Sequence, residues 1–159
     1  ALKAFKEQGY KLVVITNQAG VARGYYTEDD VKELHRYMNE LLEKAGAGID
    51  AFYYCPHHPE HGIGKYKIQC HCRKPETGMF EMAEQDFDVD KSKSWMIGDK
   101  LIDIEAGRNY GVRTVLVGTG YGAGVHEEQK KQGDFPYDLY AEDLLEAYDE
   151  INRETAGNL

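Results

Sequence analysis

The fold is decided by the segment Lys11-Leu12-Val13-Val14-Ile15-Thr16-Asn17-Gln18. Residues 12–15 form an uninterrupted apolar run, rich in β-branched side chains, which is typical of a strand buried on both faces of a sheet. Thr16, Asn17 and Gln18 follow at once, so polar side chains stand where the strand ends. We therefore predict a buried strand over residues 11–15 and a polar, glycine-containing loop over residues 16–26.

Predicted strands alternate with predicted helices along the rest of the chain. Thr27-Glu28-Asp29-Asp30 has the pattern of a capping box, with Asp in the place where Glu is usual, and apolar residues at helical spacing follow it to about Ala45. The other predicted elements are a helix over 1–8, a strand over 50–55, a helix over 79–87, a strand over 94–98, a helix over 101–110, a strand over 113–117, a glycine-rich loop over 118–124, a short strand over 137–140 and a helix over 142–153. Parallel strands need crossover connections, and helices usually supply them, so the alternation predicts an α/β fold with a doubly wound parallel sheet.

Length and composition are those of one folded domain. The chain has 159 residues, 42% hydrophobic and 30% charged, which is neither a disordered nor a membrane composition. We predict a single domain over residues 1–154, a loop insertion over about 55–75 and a frayed tail over 155–159. The net charge of −9 disfavours general binding to nucleic acid. The longest apolar run is too short to span a bilayer, and no signal-peptide pattern opens the sequence. We expect a cytoplasmic monomer without a membrane or nucleic-acid partner.

Four polar clusters coincide with the carboxyl ends of predicted strands. In doubly wound sheets the ligand binds beyond these ends. The clusters are Thr16-Asn17-Gln18, Cys55 with the loop that follows it, Gly98-Asp99-Lys100 and Gly118-Thr119-Gly120. The agreement between chemistry and position supports both the fold and the site.

The loop over residues 56–75 carries a candidate zinc site. Cys55-Pro56-His57 and Cys70-His71-Cys72 together offer three thiolates and an imidazole, a closed set of four ligands for structural zinc: Cys55, His57, Cys70 and Cys72. Three cysteines make a poor disulfide framework. The alternative is that the cysteines are unrelated and merely lie beside a His-rich loop. A bound metal would offset the ordering entropy of a loop with little apolar content, and it would position Arg73 and Lys74, which follow directly.

Two further clusters suit phosphate and magnesium. A hydroxyl and an amide after a buried strand can hold phosphate oxygens, although Thr16-Asn17 can also be a plain turn. Asp99 on a loop, with Asp103 one helical turn later, offers hard carboxylate oxygens for Mg²⁺, although a capping Asp explains the same pattern. Lys74 and Lys100 are ambiguous singly. A hydroxyl, an Asp and one or two Lys at the same sheet edge are much more specific together.

These motifs resemble those of haloacid-dehalogenase-type phosphatases. Val14-Ile15-Thr16-Asn17-Gln18-Ala19-Gly20-Val21-Ala22-Arg23-Gly24 resembles the second motif of that family. Cys72-Arg73-Lys74-Pro75 supplies the lysine of the third, and Met96-Ile97-Gly98-Asp99-Lys100 with Asp103 supplies the fourth. With the zinc loop, the resemblance is to the heptose-bisphosphate phosphatase branch, and it covers nearly all of residues 1–154. It implies the family's core without a large cap domain, and removal of the 7-phosphate of D-glycero-D-manno-heptose 1,7-bisphosphate, a small phosphorylated sugar.

The resemblance also implies a role for each site residue. Thr16 and Lys74 would hold the transferring phosphoryl oxygens, and Asp99 would hold a catalytic Mg²⁺ with Asp103 behind it. Zinc would be structural. The residues implied to contact substrate are Thr16, Asn17, Gln18, Ala19, Arg73, Lys74 and Lys100.

One family motif is missing from these residues. The first motif is an Asp-x-Asp on a strand before the opening helix, which carries the nucleophile and the general acid/base, and no such motif stands there. We expect that this strand belongs between the Thr16 and Asp99 strands and that the sequence is incomplete without it. The nucleophile would then lie upstream of residue 1, and its aspartyl-phosphate would be the intermediate.

Three other functions fit some of the same residues. The histidinol-phosphate phosphatase branch has a similar zinc loop. A catalytically dead, zinc-stabilised binding module would keep Thr16, Lys74 and Asp99 without a nucleophile. A phosphatase of nucleic-acid ends shares the fold, but the charge of −9 and the lack of a basic stripe count against it.

Overall fold

The structure, a computed structural model, describes residues 1–157. The strands are β1 (Val13–Asn17), β2 (Ala51–Cys55), β3 (Trp95–Gly98), β4 (Arg113–Val117) and β5 (Leu139–Ala141). The helices are α1 (Leu2–Glu7), α2 (Ala19–Ala22), α3 (Glu28–Lys44), α4 (Gly78–Asp86), α5 (Leu101–Tyr110), α6 (Gly122–Gln132) and α7 (Leu144–Gly157). Two short 3₁₀ turns lie at Gly64–Tyr66 and Lys91–Lys93. By compactness the chain divides into two units, one of residues 2–88 and the other of the residues from 89 onward together with Ala1.

All strand pairings described between residues 1 and 157 are parallel, which confirms the predicted α/β class. β1 pairs with β2 in the first unit, and the second unit has the order β3-β4-β5. β1 and β3 each form an edge of their own sheet. These are the two strands between which the resemblance places one more strand.

One hydrophobic cluster of the first unit forms where α4 meets the β1-β2 pair. α4 packs there, and Met79 and Ala83 contact Tyr53 and Cys55 of β2. Met79 and Cys55 have no exposed surface. The last residue of β2 is therefore fixed by apolar packing as well as by strand pairing, which matters because Cys55 is a predicted metal ligand.

The second unit buries a core between its sheet and three helices. α5 packs on β3 and β4, α6 packs on β4, and α7 packs on β5 and β4. Ile104, Leu116 and Tyr137 form the cluster at the centre. This packing holds the β3–α5 connection, which carries Asp99 and Lys100, on a rigid base.

The start of α3 confirms the predicted capping box. The Thr27 hydroxyl accepts a hydrogen bond from the Asp30 N–H at 3.1 Å, and the Asp30 carboxylate accepts one from the Thr27 N–H at 2.8 Å. The shorter Asp side chain thus performs the role that Glu usually takes.

The structure corrects three boundaries. α6 occupies Gly122–Gln132, where the sequence predicted a glycine loop and then no element. Its Gly122 and Gly124 are poor helix formers, and its mostly charged surface gives no clear helical period, so its pattern was weak. Residues 19–22 are a short helix inside a predicted loop. α7 continues through Gly157, so residues 155–157 of the predicted frayed tail are helical, while residues 158 and 159 lie outside the described part.

None of the helices within residues 1–157 combines the length and apolar character needed to cross a bilayer.

His35 gives the fold a testable dependence on pH. Its ring, on α3, is buried and stacks on Phe52 of β2, with ring centroids 4.7 Å apart and planes 20° apart. Burial lowers the pKa of His35 below its ordinary value of 6.5. The unfolded chain therefore binds this proton more tightly than the folded chain does. The stability that His35 contributes is complete above about pH 6.5 and is lost as the pH falls below that value.

We predict that His35→Phe, which keeps a flat ring against Phe52, weakens this dependence. Urea unfolding at about pH 7.5 and about pH 5.5 measures the free energy of unfolding at each pH. The loss between the two pH values should be smaller in the variant than in the wild type, whereas the exposed-site control His61→Ala should lose as much as the wild type. An equal loss in His35→Phe and wild type would contradict the prediction.

Candidate functional site

The parallel register of β1 and β2 brings the first group of predicted site residues together. Asn17 lies opposite Cys55, and the Gln18 N–H donates to the Cys55 carbonyl at 2.8 Å. The carboxyl end of β1, with its polar residues, is therefore a direct neighbour of the first predicted metal ligand.

The four predicted zinc ligands form one cluster. The Sγ atoms of Cys55, Cys70 and Cys72 and the Nδ1 atom of His57 all lie within 4.8 Å of one another. Nδ1 of His57 is 3.7 Å from the sulfur of Cys55 and 3.8 Å from that of Cys72. A tetrahedral zinc with bonds of about 2.3 Å needs ligand atoms about 3.8 Å apart, so both of these distances fit such an ion. The sulfurs of Cys70 and Cys72 are closer, at 2.8 Å, and would separate around a metal.

Two thiols of this cluster have pKa values shifted in opposite directions. A hydrogen bond from Cys72 lowers the pKa of Cys55 to about 5, although burial acts in the opposite direction. The same contact raises the pKa of Cys72. The contact thus favours the thiolate form of Cys55 over that of Cys72, and a bound cation would favour ionisation of the other thiols. Three thiolates and an imidazole are a donor set that suits zinc better than magnesium or calcium.

The other histidines of this region have different partners. Nδ1 of His58 accepts the backbone N–H groups of Glu60 and His61 at 3.1 and 3.0 Å. His71 is exposed. Its Nε2 atom lies 2.9 Å from Oε1 of Glu81, and its Nδ1 atom lies 3.5 Å from Oε2 of Glu76. These contacts leave the cluster with the four ligands that the sequence predicted.

Asn17 clamps the backbone of Lys74. Its Oδ1 atom accepts the Lys74 N–H at 3.0 Å, and its Nδ2 atom donates to the Lys74 carbonyl at 3.2 Å. The side chain amide of one residue is thus matched to both polar groups of the other. Asn17 was predicted to contact substrate, and the structure shows its amide bonded to the Lys74 backbone.

Lys74 itself is buried against β1. Its Nζ atom donates to the carbonyl of Ile15 at 3.1 Å, and the residue is only 8% exposed. A buried ammonium is costly without hydrogen-bond partners, and the bond to Ile15 holds this charge at a defined position in the predicted phosphate site.

Thr16 and Gln18 form a hydrogen-bonded chain with Tyr26. Gln18 donates to the Thr16 hydroxyl at 3.1 Å and accepts from the Tyr26 hydroxyl at 2.7 Å. The Tyr26 ring lies so close to Gly20 that a Cβ there would be 2.2 Å from it. Because the Thr16 oxygen accepts one hydrogen bond, its own proton remains available as a donor to an anion. The hydrogen bond between Tyr26 and Gln18, eight positions apart, is not evident from the sequence.

Arg73 and Ala19 lie beside this group. The Arg73 guanidinium donates to the carbonyl of His57 at 3.3 Å, which ties it to the metal loop. Ala19 is the first residue of α2, immediately after Gln18. The predicted residues of the first unit are therefore all placed around the ends of β1 and β2.

The second group of predicted residues follows β3. Asp103 is 6% exposed, and its carboxylate accepts the Lys100 N–H at 3.2 Å, so it caps α5. Asp99 precedes it on the connection and accepts the backbone N–H of Tyr121 at 3.0 Å through Oδ2. Lys100 is exposed, and its Nζ atom lies 4.5 Å from the centre of the Tyr121 ring. The arrangement offers one partly exposed carboxylate that is apt for Mg²⁺, with a second carboxylate fixing the helix behind it.

The family profile described as HAD-hydrolase-like matches residues 71–147, which include both Lys74 and Asp99. A D-glycero-beta-D-manno-heptose-1,7-bisphosphate 7-phosphatase of Haemophilus ducreyi is 46% identical over 132 residues, or 82% of this chain and 72% of that protein. The chain belongs to the haloacid-dehalogenase-like phosphatases.

A second curated relative points to the same branch of the family. The D-glycero-alpha-D-manno-heptose-1,7-bisphosphate 7-phosphatase of Burkholderia mallei is 50% identical over 114 residues, which cover 72% of this chain and 60% of that protein. The two relatives thus carry names that differ in the anomer.

Solved structures agree with this placement. A D,D-heptose 1,7-bisphosphate phosphatase of B. bronchiseptica, crystallised with magnesium and phosphate, is similar with a TM-score of 0.78 and 30% identity, over 96% of this chain and 80% of that chain. The corresponding phosphatase of Burkholderia thailandensis has a TM-score of 0.60 and 26% identity, over 92% and 78% of the two chains. The predicted fold and family are confirmed.

We predict that Asn17→Ala frees the backbone of Lys74. Two part-buried hydrogen bonds are lost, so the free energy of unfolding should fall by about 1–3 kcal/mol. The Lys74 amide should exchange with solvent faster, as measured by hydrogen exchange with NMR detection.

Asn39→Ala is the matched control for this prediction. Asn39 also accepts a backbone N–H, that of Ile49 at 2.6 Å, but far from Lys74 in the sequence. Its loss should lower stability and leave the exchange of the Lys74 amide unchanged. Unchanged exchange of that amide in Asn17→Ala would show that the clamp does not hold it.

Proposed function

We propose that the protein is a magnesium-dependent phosphate-monoester hydrolase that removes the 7-phosphate of D-glycero-D-manno-heptose 1,7-bisphosphate. Both curated relatives described above are named for this reaction. The observation that carries the proposal is the buried Lys74 ammonium. It donates to the carbonyl of Ile15, the residue before Thr16 on β1, and the Asn17 side chain holds the Lys74 backbone.

Thr16 and Lys74 would bind the phosphoryl group that is transferred. The Thr16 hydroxyl donates one hydrogen bond, and the Lys74 ammonium supplies positive charge in a place with little access to water. Phosphoryl transfer depends mostly on positioning and on charge stabilisation, and both residues are fixed before any substrate arrives. Gln18 would keep the Thr16 hydroxyl oriented.

Asp99 would hold the magnesium ion, with Asp103 fixing the connection behind it. Bound magnesium supplies positive charge that neutralises the phosphate oxygens. The carboxylate of Asp99 has one oxygen bonded to a backbone N–H, which restricts its rotation. Such restriction keeps a ligand oriented toward its cation.

Arg73 and Lys100 would bind the remainder of the substrate. Both are cations next to the proposed reacting centre in sequence, Arg73 beside Lys74 and Lys100 beside Asp99. A bisphosphate carries a second dianion, and cations are what recognises it. Ala19 and Gln18 would line the pocket.

The nucleophile would be an Asp that lies upstream of residue 1. Asp-x-Asp occurs within this sequence only in the run Asp86-Phe87-Asp88-Val89-Asp90. Asp86 ends α4 and accepts the Tyr53 hydroxyl, and Asp90 caps the turn at Lys91–Lys93. Neither stands at the carboxyl end of a strand, so this run does not have the position of the family's first motif.

We predict that residues 1–159 alone do not hydrolyse the bisphosphate, and that the protein extended by its preceding coding sequence does. In the extended protein, Asp99→Asn should lower kcat/KM by at least about 100-fold, because the metal loses a charged ligand. Phosphate release from the α and β anomers and from histidinol phosphate measures both activity and specificity.

Asp88→Asn is the control, since it makes the same chemical change at an exposed carboxylate in the Asp-rich run. It should keep full activity. Turnover by residues 1–159 alone would contradict the assignment of an upstream nucleophile. Full activity in Asp99→Asn would show that Asp99 has only a structural role in the turn.

We propose that the metal in the cysteine cluster is zinc and that its role is structural. The four protein ligands leave no open position for water or substrate. The metal would order the chain between Cys55 and Cys72 and so present Arg73 and Lys74.

We predict one tightly held zinc per chain by elemental analysis. Cys70→Ser should weaken zinc binding at least about tenfold and speed amide exchange across residues 56–75. His61→Ala removes an exposed imidazole from the same loop and should keep the zinc. Loss of all zinc on mild dialysis against chelator, with unchanged exchange in the loop, would contradict a structural role.

A further inference from the structure

The connection between β4 and α6 makes contacts that the proposed chemistry does not yet use. It consists of Gly118, Thr119, Gly120 and Tyr121, and we call it the Tyr121 loop. All its contacts described below lie within the second compact unit.

The backbone of the Tyr121 loop packs directly on the Asp99 carboxylate. Gly120 has a φ of +64°, and a Cβ at this position would lie 2.3 Å from Oδ2 of Asp99. Glycine is therefore required twice, for its backbone conformation and for the close approach. The neighbouring N–H of Tyr121 donates to the same oxygen at 3.0 Å.

The side chain of Tyr121 contacts the residue after Asp99. The Lys100 ammonium lies over the Tyr121 ring, 4.5 Å from its centre, although both residues are solvent-exposed and Tyr121 is 67% exposed. An exposed lysine otherwise samples many rotamers, and the attraction of a cation to an aromatic face restricts it. A single residue thus holds Asp99 through its backbone and Lys100 through its ring.

We infer that Tyr121 is a positioning residue that places the Lys100 ammonium to bind the phosphate of the substrate that is not transferred, and that Gly120 lets the same loop orient the Asp99 carboxylate for its metal. The inference rests on the proposed function for the identity of the substrate. The contacts on Asp99 and Lys100 do not depend on it.

The ring contact is tested by NMR on residues 1–159, without turnover. Protons held over an aromatic face are shifted upfield, so the side-chain methylene signals of Lys100 report the contact. The shift should persist in Tyr121→Phe and disappear in Tyr121→Leu. Tyr37→Leu, which removes a comparably exposed tyrosine from α3, should leave it unchanged. Identical Lys100 shifts in Tyr121→Leu and wild type would overturn the inference.

The role in recognition is tested with two ligands titrated, without magnesium, into the same variants of the extended protein. The first ligand, D-glycero-D-manno-heptose 1,7-bisphosphate, carries both phosphates. The second, the heptose 7-phosphate, lacks the phosphate at position 1, which is the one assigned to Lys100. Tyr121→Leu should weaken bisphosphate binding about two- to fivefold and leave 7-phosphate binding unchanged, with Tyr121→Phe close to wild type. An equal loss for both ligands would overturn the assignment of Lys100 to the second phosphate. If the wild type binds neither ligand, the proposed function fails, while the NMR result still decides the contact.

The role of Gly120 is tested by magnesium titration, followed through the Tyr121 amide signal. Gly120→Ala should weaken magnesium binding, because a methyl group would displace the Asp99 carboxylate. Gly124→Ala is the matched control, since a Cβ there meets nothing within 4 Å and its φ is not positive. Unchanged magnesium affinity in Gly120→Ala would show that the loop does not orient Asp99.

Discussion

The loop over residues 56–75 buries too little apolar surface to be ordered by packing, so the Cys/His cluster and hydrogen bonds have to hold it. The proposed phosphate site depends on this loop, because Lys74 lies in it. Residues 56–75 contain two isoleucines, Ile63 and Ile68, and these are 63% and 44% exposed. Their burial therefore contributes little against the ordering entropy of the loop. The Cys/His cluster brings the two ends of the loop together, and the Tyr66 hydroxyl donates to Glu28 of α3 at 2.8 Å from the middle of the loop. That bond is the largest cause of the lowered pKa of Glu28, so it holds while the carboxylate is charged.

The chain positions its functional side chains by contacts on backbone groups. Asn17 uses both ends of its amide on the N–H and carbonyl of Lys74, and Asp103 accepts the N–H of Lys100. The Tyr121 N–H holds Asp99 in the reverse sense, with backbone acting on a carboxylate. A backbone group has less freedom than a side chain, so each such bond fixes a functional group at a small cost in entropy. This explains why Asn17 and Asp103 bond to the backbone of a neighbouring predicted site residue.

The sequence was sufficient for the strands and for the cluster of three cysteines and His57, but not for these supporting contacts. Buried strands have a strong apolar pattern, and four metal ligands have a chemistry of their own, so β1 to β4 and the Cys55 cluster were predictable. α6 was missed because its glycines and charges hide its helical period. The contact between Asn17 and Lys74 depends on the strand register and on the path of the loop, and it joins residues 57 positions apart. The contacts of Tyr121 with Asp99 and Lys100 could not be predicted, since nothing in its local sequence shows that it meets them.

The Asp-rich run at residues 86–90 shows why a motif needs its place in the fold. By composition it satisfies Asp-x-Asp twice. A nucleophilic carboxylate must be presented beyond a strand end, where neighbouring strand ends supply cations and metal ligands around one phosphate. Asp86 instead accepts a hydrogen bond from the buried Tyr53, and the desolvation of that tyrosine together with this carboxylate raises the pKa of Tyr53 to about 12. An Asp that serves as an acceptor for a core tyrosine at the end of a helix is committed to the fold. The Asp-x-Asp pattern therefore serves packing in this run, whereas beyond the end of a strand it can serve catalysis.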